Sequence, residues 1–319
     1  MRASNVRSAI AAGTASSALA LFALSCGART GLLAPEEVDA APDVIVHHDA
    51  SVDHFDAFVE EDALPLIDNV VPDVPVITDC PDAAATLVYV ITEENELLSF
   101  YPPTLAFSKI GNIQCPNTTA TPFSMGVTRT GVAYSCFTDG RLMRISTANA
   151  SCQPTSYAPN QQNFATFCMG YAGLPDGGER LYVVDCNGGA SDSLGLGWID
   201  TTSFTLSFVG AFQPTEPSCE LTGTGDGRLF GFCLQPGSGS KVIQIDPTDA
   251  HVLAENDLQV GSPNDGFAFA YWGGVFWIFT TPGGTSTVTR FDPDTLSETN
   301  VTTFPGSIVG AGVSTCAPL

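Results

Sequence analysis

From residue 80 onward, short apolar runs alternate with breaks rich in Gly, Pro, Asp and Asn, and the runs return in a fixed order. The pattern predicts five cycles of short strands. The second strand of each cycle reads Leu87-Val88-Tyr89, Val132-Ala133-Tyr134, Arg180-Leu181-Tyr182, Arg228-Leu229-Phe230 and Val275-Phe276-Trp277. An aromatic stands third every time, at spacings of 45, 48, 48 and 47. The third strand ends at Phe100, Ile145, Ile199, Ile245 and Phe291, and in the last three cycles an Asp follows directly. Asp accepts hydrogen bonds from its own turn and Pro presets φ, so these breaks are turns with a mechanism. The first strand carries a small residue at matching places: Gly126, Gly170, Gly223, Ala270 and Ala311. Such residues suit innermost strands crowded about an axis.

A period of about 45 residues with some four short strands per cycle predicts an all-β, five-bladed β-propeller over residues 80–319. The last first strand, Ile308 to Val313, has no second strand after it. The first second strand, at Leu87, has no first strand before it. The two chain ends are therefore expected to build one blade jointly and cover an edge that would otherwise stay unpaired. A six- or seven-bladed ring would have to recruit residues 27–79, which hold no aromatic-bearing second strand.

The cysteines test this scheme. Opposed residues in an antiparallel hairpin have position numbers with a constant sum. Cys219 and Cys233 centre on Asp226, and Cys168 and Cys186 centre on Gly177, each pair at the open end of a first hairpin. Opposed Cα atoms there lie within disulfide reach. Cys80 and Cys316 flank the jointly built blade and would staple the ring. Among Cys115, Cys136 and Cys152, the pair Cys115–Cys136 is expected, which leaves one thiol over.

Charge and composition change the picture upstream. The chain carries 34 acidic and 11 basic residues, a formal charge of −23, which disfavours nucleic acid as a partner. Residues 1–25 read as a secretory leader: Arg2 and Arg7, then a small and apolar run too short to span a bilayer. Phe22-Ala23-Leu24-Ser25-Cys26 resembles the bacterial lipobox, which implies lipid attachment at Cys26. Ala23 departs from the Leu usual in that motif. Gly27 fits sorting to the outer membrane. Residues 26–79 hold thirteen acidic residues and one basic residue, with repeated Pro, and read as a disordered acidic linker. His47, His48 and His54 lie there beside Asp49, Asp53 and Asp56, without a scaffold to fix a metal geometry. The opening CGARTGLL, the Asp/Ala/Val/Pro linker, NIQCPNTTATPFSMGV and IVGAGVSTCAP together resemble uncharacterised myxobacterial lipoproteins. That resemblance implies a secreted, anchored propeller and no particular activity.

Motifs for chemistry are sparse. PGSGSKV lacks the P-loop gap and the Ser or Thr after Lys. His251 is the single histidine after residue 79, so a Ser-His-Asp triad lacks a base. Asp185, Asn187 and Asp192 could offer oxygens to calcium, with a polar Asx-rich loop as the plainer account. Some five-bladed propellers cleave glycosides with carboxylates at the axial mouth. Glu216, Glu220 and Asp265, beside Asn264, stand near the starts of first strands and are the candidates for that chemistry. The expectation is instead a monomeric binding or interaction module without a cofactor, touching the membrane only through its lipid. Its ligand would be a protein or a glycan.

Overall fold

The computed structural model describes residues 64–69, 80, 86–186, 193–235, 239–261 and 266–319, all within the unit Val59–Leu319. The leader, Cys26, the three linker histidines, Asn187, Asp192, Asn264 and Asp265 lie outside the described residues. Blade 1 joins both chain ends in the order β20 (Ile308–Val313), β1 (Val88–Thr92), β2 (Glu96–Tyr101), β3 (Ala106–Asn112). Blade 2 is β4 (Pro122–Val127), β5 (Val132–Phe137), β6 (Leu142–Ser146) and β7 (Cys152–Pro154). Blade 3 is β8 (Phe167–Gly173), β9 (Glu179–Asp185), β10 (Leu196–Asp200) and β11 (Thr205–Gly210). Blade 4 is β12 (Cys219–Gly223), β13 (Leu229–Leu234), β14 (Ser240–Ile245) and β15 (Val252–Leu258). Blade 5 is β16 (Gly266–Trp272), β17 (Val275–Thr281), β18 (Ser286–Asp292) and β19 (Ser297–Phe304). Every pairing within a blade is antiparallel, and the protein is a five-bladed β-propeller.

The innermost strands touch around the ring in the order β4, β8, β12, β16, β20 and back to β4. Side-chain size decides how close they come. A Cβ placed on Gly170 would lie 2.8 Å from the Leu221 carbonyl, and one on Gly223 would lie 2.5 Å from Tyr171 O. Only glycine lets these backbones meet. Large side chains fill the wedges between blades instead: Tyr182 packs with Leu229 and Ile243, and Phe230 packs with Tyr271 and Phe276. The turns after third strands work as their sequence predicts. Asp200 Oδ1 accepts from Thr202 N (2.7 Å), and Asp246 Oδ1 accepts from Thr248 N (2.8 Å). The ends of the Thr205 and Val252 strands are then set by Phe204 and Ala250 at positive φ.

Ring closure follows the expected register. Val88 pairs with Val313 and Val90 with Ala311, and Cys80 bonds to Cys316 with Cα atoms 5.6 Å apart. Cys219 and Cys233 are direct cross-strand partners and are bonded. Cys168 also bonds to Cys186, but its direct partner is Val184, so the bridge runs diagonally across the hairpin. The predicted register was two positions out.

The pairing expected for Cys115 is corrected. Cys115 bonds to Cys152, and Cys136 is a free, buried thiol. Strand parity explains this. Tyr134 and Cys136 face the blade 2–blade 3 cluster, whereas Ala133 and Phe137 face the opposite cluster. Cys115 and Cys152 pack on that opposite side, brought together where Gln114 bridges Ser151 in parallel. Burial pushes the Cys136 thiol up to about 12, which keeps it protonated.

Residues 64–69 fall inside the stretch read as linker, yet lie against the propeller at blade 4. Glu255 N donates to Pro65 O at 2.9 Å, and Ile67 is 3% exposed among Phe230, Phe232 and Phe276.

Candidate functional site

The carboxylates expected at the axial mouth take different positions. Glu220, on innermost β12, is fully buried. Ser124 Oγ, on β4, donates to its Oε2 at 2.9 Å, and Met169 N, on β8, donates to the same Ser124 Oγ at 3.0 Å. Burial raises the Glu220 carboxyl well above the usual range, so it favours its neutral form; the Ser124 hydrogen bond opposes that only in part. Glu220 forms one wall of a cavity of about 160 Å³ at the Cys219 end, with Glu93, Phe123, Gly266, Phe267 and Val309. Glu216 is not among the walls of this cavity. It is buried in the connection before β12 and paired with Lys241 at 2.8 Å, and Lys241 also holds Glu255 at 2.8 Å. Glu216 and Glu220 therefore do not face one cleft, as glycoside cleavage would require; the second carboxylate on the wall of the Glu220 cavity is Glu93, which is not among the carboxylates expected from the sequence.

Asp185, the described member of the calcium trio, accepts from Leu194 N at 3.3 Å through Oδ2. At the opposite, Gly227 end of the ring, a lock spans three blades. Arg129 donates to Gly177 O (2.8 Å) and Gly178 O (3.0 Å), and its backbone N–H donates to Glu179 Oε1 (3.1 Å). Thr315 Oγ1 donates to Glu179 Oε2 at 2.8 Å, which ties in the closing blade.

A cleft between blades 3 and 4, about 740 Å³ in volume, opens at this same end. Its construction starts from strand alternation. Tyr182 on β9 is the recurrent second-strand aromatic, Trp198 on β10 is its direct cross-strand partner, and Arg180 lies two residues from Tyr182 on the same face. The Arg180 guanidinium sits 4.3 Å over the Trp198 ring and 6.0 Å from that of Tyr182. Phe208 on β11 extends the wall and is 48% exposed. Leu174-Pro175 and Pro247-Thr248, from turns of the two blades, form the rims. The acids here are already engaged: Asp176 Oδ1 caps Gly178 N at 2.9 Å, and Asp226 pairs with Arg228 at 3.0 Å. Arg180 makes no ion pair among the described residues. The site thus combines aromatic faces, an apolar floor and a stacked positive charge with no carboxylate partner among the described residues, the composition of a ligand pocket.

Arg180-Leu181-Tyr182 stands out in the sequence by its place in the repeat, whereas Trp198 has no recurrent position there. The signal was present: Arg and Tyr at i and i+2 share a face, opposite a Trp.

No protein-family model matches the chain, and no curated protein matches it. Among solved structures, a chain of a nidogen/laminin complex is 12% identical, with 73% of this chain and 99% of that chain covered at a TM-score of 0.48. TolB from Acinetobacter baumannii is 12% identical, with 75% and 68% covered at a TM-score of 0.42. The Dos1 propeller is 9% identical, with 73% and 71% covered at a TM-score of 0.39. At these values the similarities carry no information about activity.

Proposed function

We propose that this chain is an exported, lipid-anchored interaction module of the cell envelope that binds its ligand in the cleft between blades 3 and 4. The observation that carries the reading is an aromatic wall beside a stacked cation: half-buried Trp198 and exposed Phe208 over buried Tyr182, next to an Arg180 that has no carboxylate partner among the described residues. A propeller supplies such a cleft on a rigid frame, because each wall belongs to a different four-stranded sheet. Export is supported by four disulfides, which persist in oxidising compartments, and by the basic, apolar leader ending at Cys26. Outer-membrane placement rests on the lipobox-like residues and Gly27.

The binding test uses the full chain against arrays of envelope glycans and of peptides, with a Trp198→Ala/Phe208→Ala variant alongside. Ligands retained by the parent and lost by the variant are expected. An array without a ligand, or binding indifferent to both substitutions, removes the reading. The anchor is tested separately by metabolic labelling with a fatty-acid analogue, which should disappear in Cys26→Ser.

A further inference from the structure

Two neighbouring clefts of this ring are built alike, and the chain fills one of them itself. Between blades 4 and 5, residues 64–69 are held by hydrogen bonds to both blades. Glu255 N donates to Pro65 O (2.9 Å), Ile67 N to Asn256 Oδ1 (3.2 Å) and Asn69 Nδ2 to Gly274 O (2.7 Å). Tyr271 OH closes the end by donating to Asn69 Oδ1 at 3.1 Å.

The repeat assigns each anchor a counterpart one blade back. Val183 pairs with Gly197, and Gly197 with Phe208; in blade 4, Gly231 pairs with Ile243, and Ile243 with Glu255. Glu255 therefore corresponds to Phe208, and Asn256 to Val209. Gly274 precedes Trp277 by three residues, as Gly227 precedes Phe230. The anchors of the filled cleft thus map onto Phe208, Val209 and Gly227. All three line the open cleft between blades 3 and 4. Two things differ: Val209 stands where Asn256 accepts from Ile67 N, so the open cleft lacks that side-chain acceptor, and the arginine is differently engaged. Arg228, the counterpart of Arg180, has Asp226 at 3.0 Å, whereas Arg180 has no carboxylate among the described residues.

We propose that the open cleft seats an extended acidic peptide of a partner protein, laid along β11 as residues 64–69 are laid along β15. An apolar side chain of the peptide packs against Trp198 and Phe208, and a carboxylate pairs with Arg180. Such a peptide adds backbone hydrogen bonds to an outer strand, so its affinity comes from main chain and its specificity from the two side-chain seats. A stacked guanidinium favours a carboxylate partner because it is weakly hydrated and already oriented by the ring. This inference rests on the binding reading of the same cleft and specifies its ligand class.

The probe is fluorescein-labelled EEDALPLIDN, the sequence of residues 60–69, titrated with the full chain and read by anisotropy. Saturable binding is expected, at least tenfold weaker for Arg180→Gln, for Trp198→Ala and for the carboxylate-free analogue QQNALPLINN. Arg144→Gln, which removes the same charge from an exposed site on blade 2, should change affinity less than twofold. Peptide binding that ignores both Arg180→Gln and Trp198→Ala overturns the proposal. So does absence of binding. In that second case the glycan array separates the two ideas: a Trp198-dependent glycan keeps the binding cleft and discards the peptide, and no ligand at all discards both.

Discussion

Removal of the closing disulfide, in a Cys80→Ser/Cys316→Ser variant, probes how the ring is held shut. The two cysteines are 236 positions apart, and the bridges Cys115–Cys152, Cys168–Cys186 and Cys219–Cys233 all lie inside that loop. Short-cut by those bridges, the loop has an effective length of about 170 residues, whose closure costs the unfolded chain about 5 kcal/mol of entropy at 25 °C. The Cys219–Cys233 loop, 14 positions, gives about 3 kcal/mol by the same relation. In the native state the β20–β1 ladder still pairs Val88 with Val313 and Ile91 with Gly310, so the variant should fold with its ring intact. Its thermal midpoint should fall by about 10–20 °C for a domain of this size. The assay is thermal and urea unfolding by circular dichroism, with the remaining bridges oxidised. The Cys219→Ser/Cys233→Ser variant is measured in parallel. If the short-loop variant loses as much stability as the long-loop one, or more, the reasoning from chain entropy is refuted.

Three further outcomes are expected. Glu220→Gln should abolish a pH-dependent loss: the raised carboxyl makes the folded parent less stable as pH climbs from the unfolded Glu value through the folded one, by about 1.4 kcal/mol per unit of displacement. Urea midpoints from pH 4 to 9 should therefore show the variant gaining on the parent toward high pH, and parallel curves would rule the burial argument out. Gly170→Ala should cost about 1–3 kcal/mol, since its Cβ meets Leu221 backbone at 2.8 Å, whereas Gly261→Ala, with open space around it, should stay within about 0.5 kcal/mol. Cys136 should resist iodoacetamide in the native protein and react only as the domain unfolds; rapid stoichiometric labelling, followed by mass spectrometry, would contradict its placement.

The frame of this fold was readable because each blade repeats its own local chemistry. An aromatic third in every second strand, an Asp after the later third strands and a small residue in every first strand place strands without any long-range information. Ring closure was readable too, as a second strand lacking a first and a first lacking a second. The Cys115–Cys152 bridge was not, because it joins the connection after β3 to the outer strand of the next blade, a contact that hairpin arithmetic does not reach. Parity alone would have set Cys136 aside, since it shares a face with Tyr134, the residue that points into the next cleft. The candidate cleft was half legible. Arg180, Tyr182 and Trp198 fall on one face by period 2, yet their exposure depends on how the blade 4 turns approach, which no local pattern records. Residues 64–69 were hidden by composition: Pro and Asp made them resemble their acidic surroundings, while buried Ile67 and half-buried Leu64 supply the apolar contacts.

The way the N-terminal side of the domain is fastened has a mechanical consequence. A pull applied upstream of residue 64 meets the bonds at Pro65, Ile67 and Asn69 first. Once those are peeled away, the load passes to Cys80 and through a covalent bond to Cys316. The hydrogen-bond seam between β20 and β1 then sits behind the cross-link rather than in the line of force. The strap can yield at low tension while the ring stays shut, and reduction of that one bond would move the breaking point onto the seam itself.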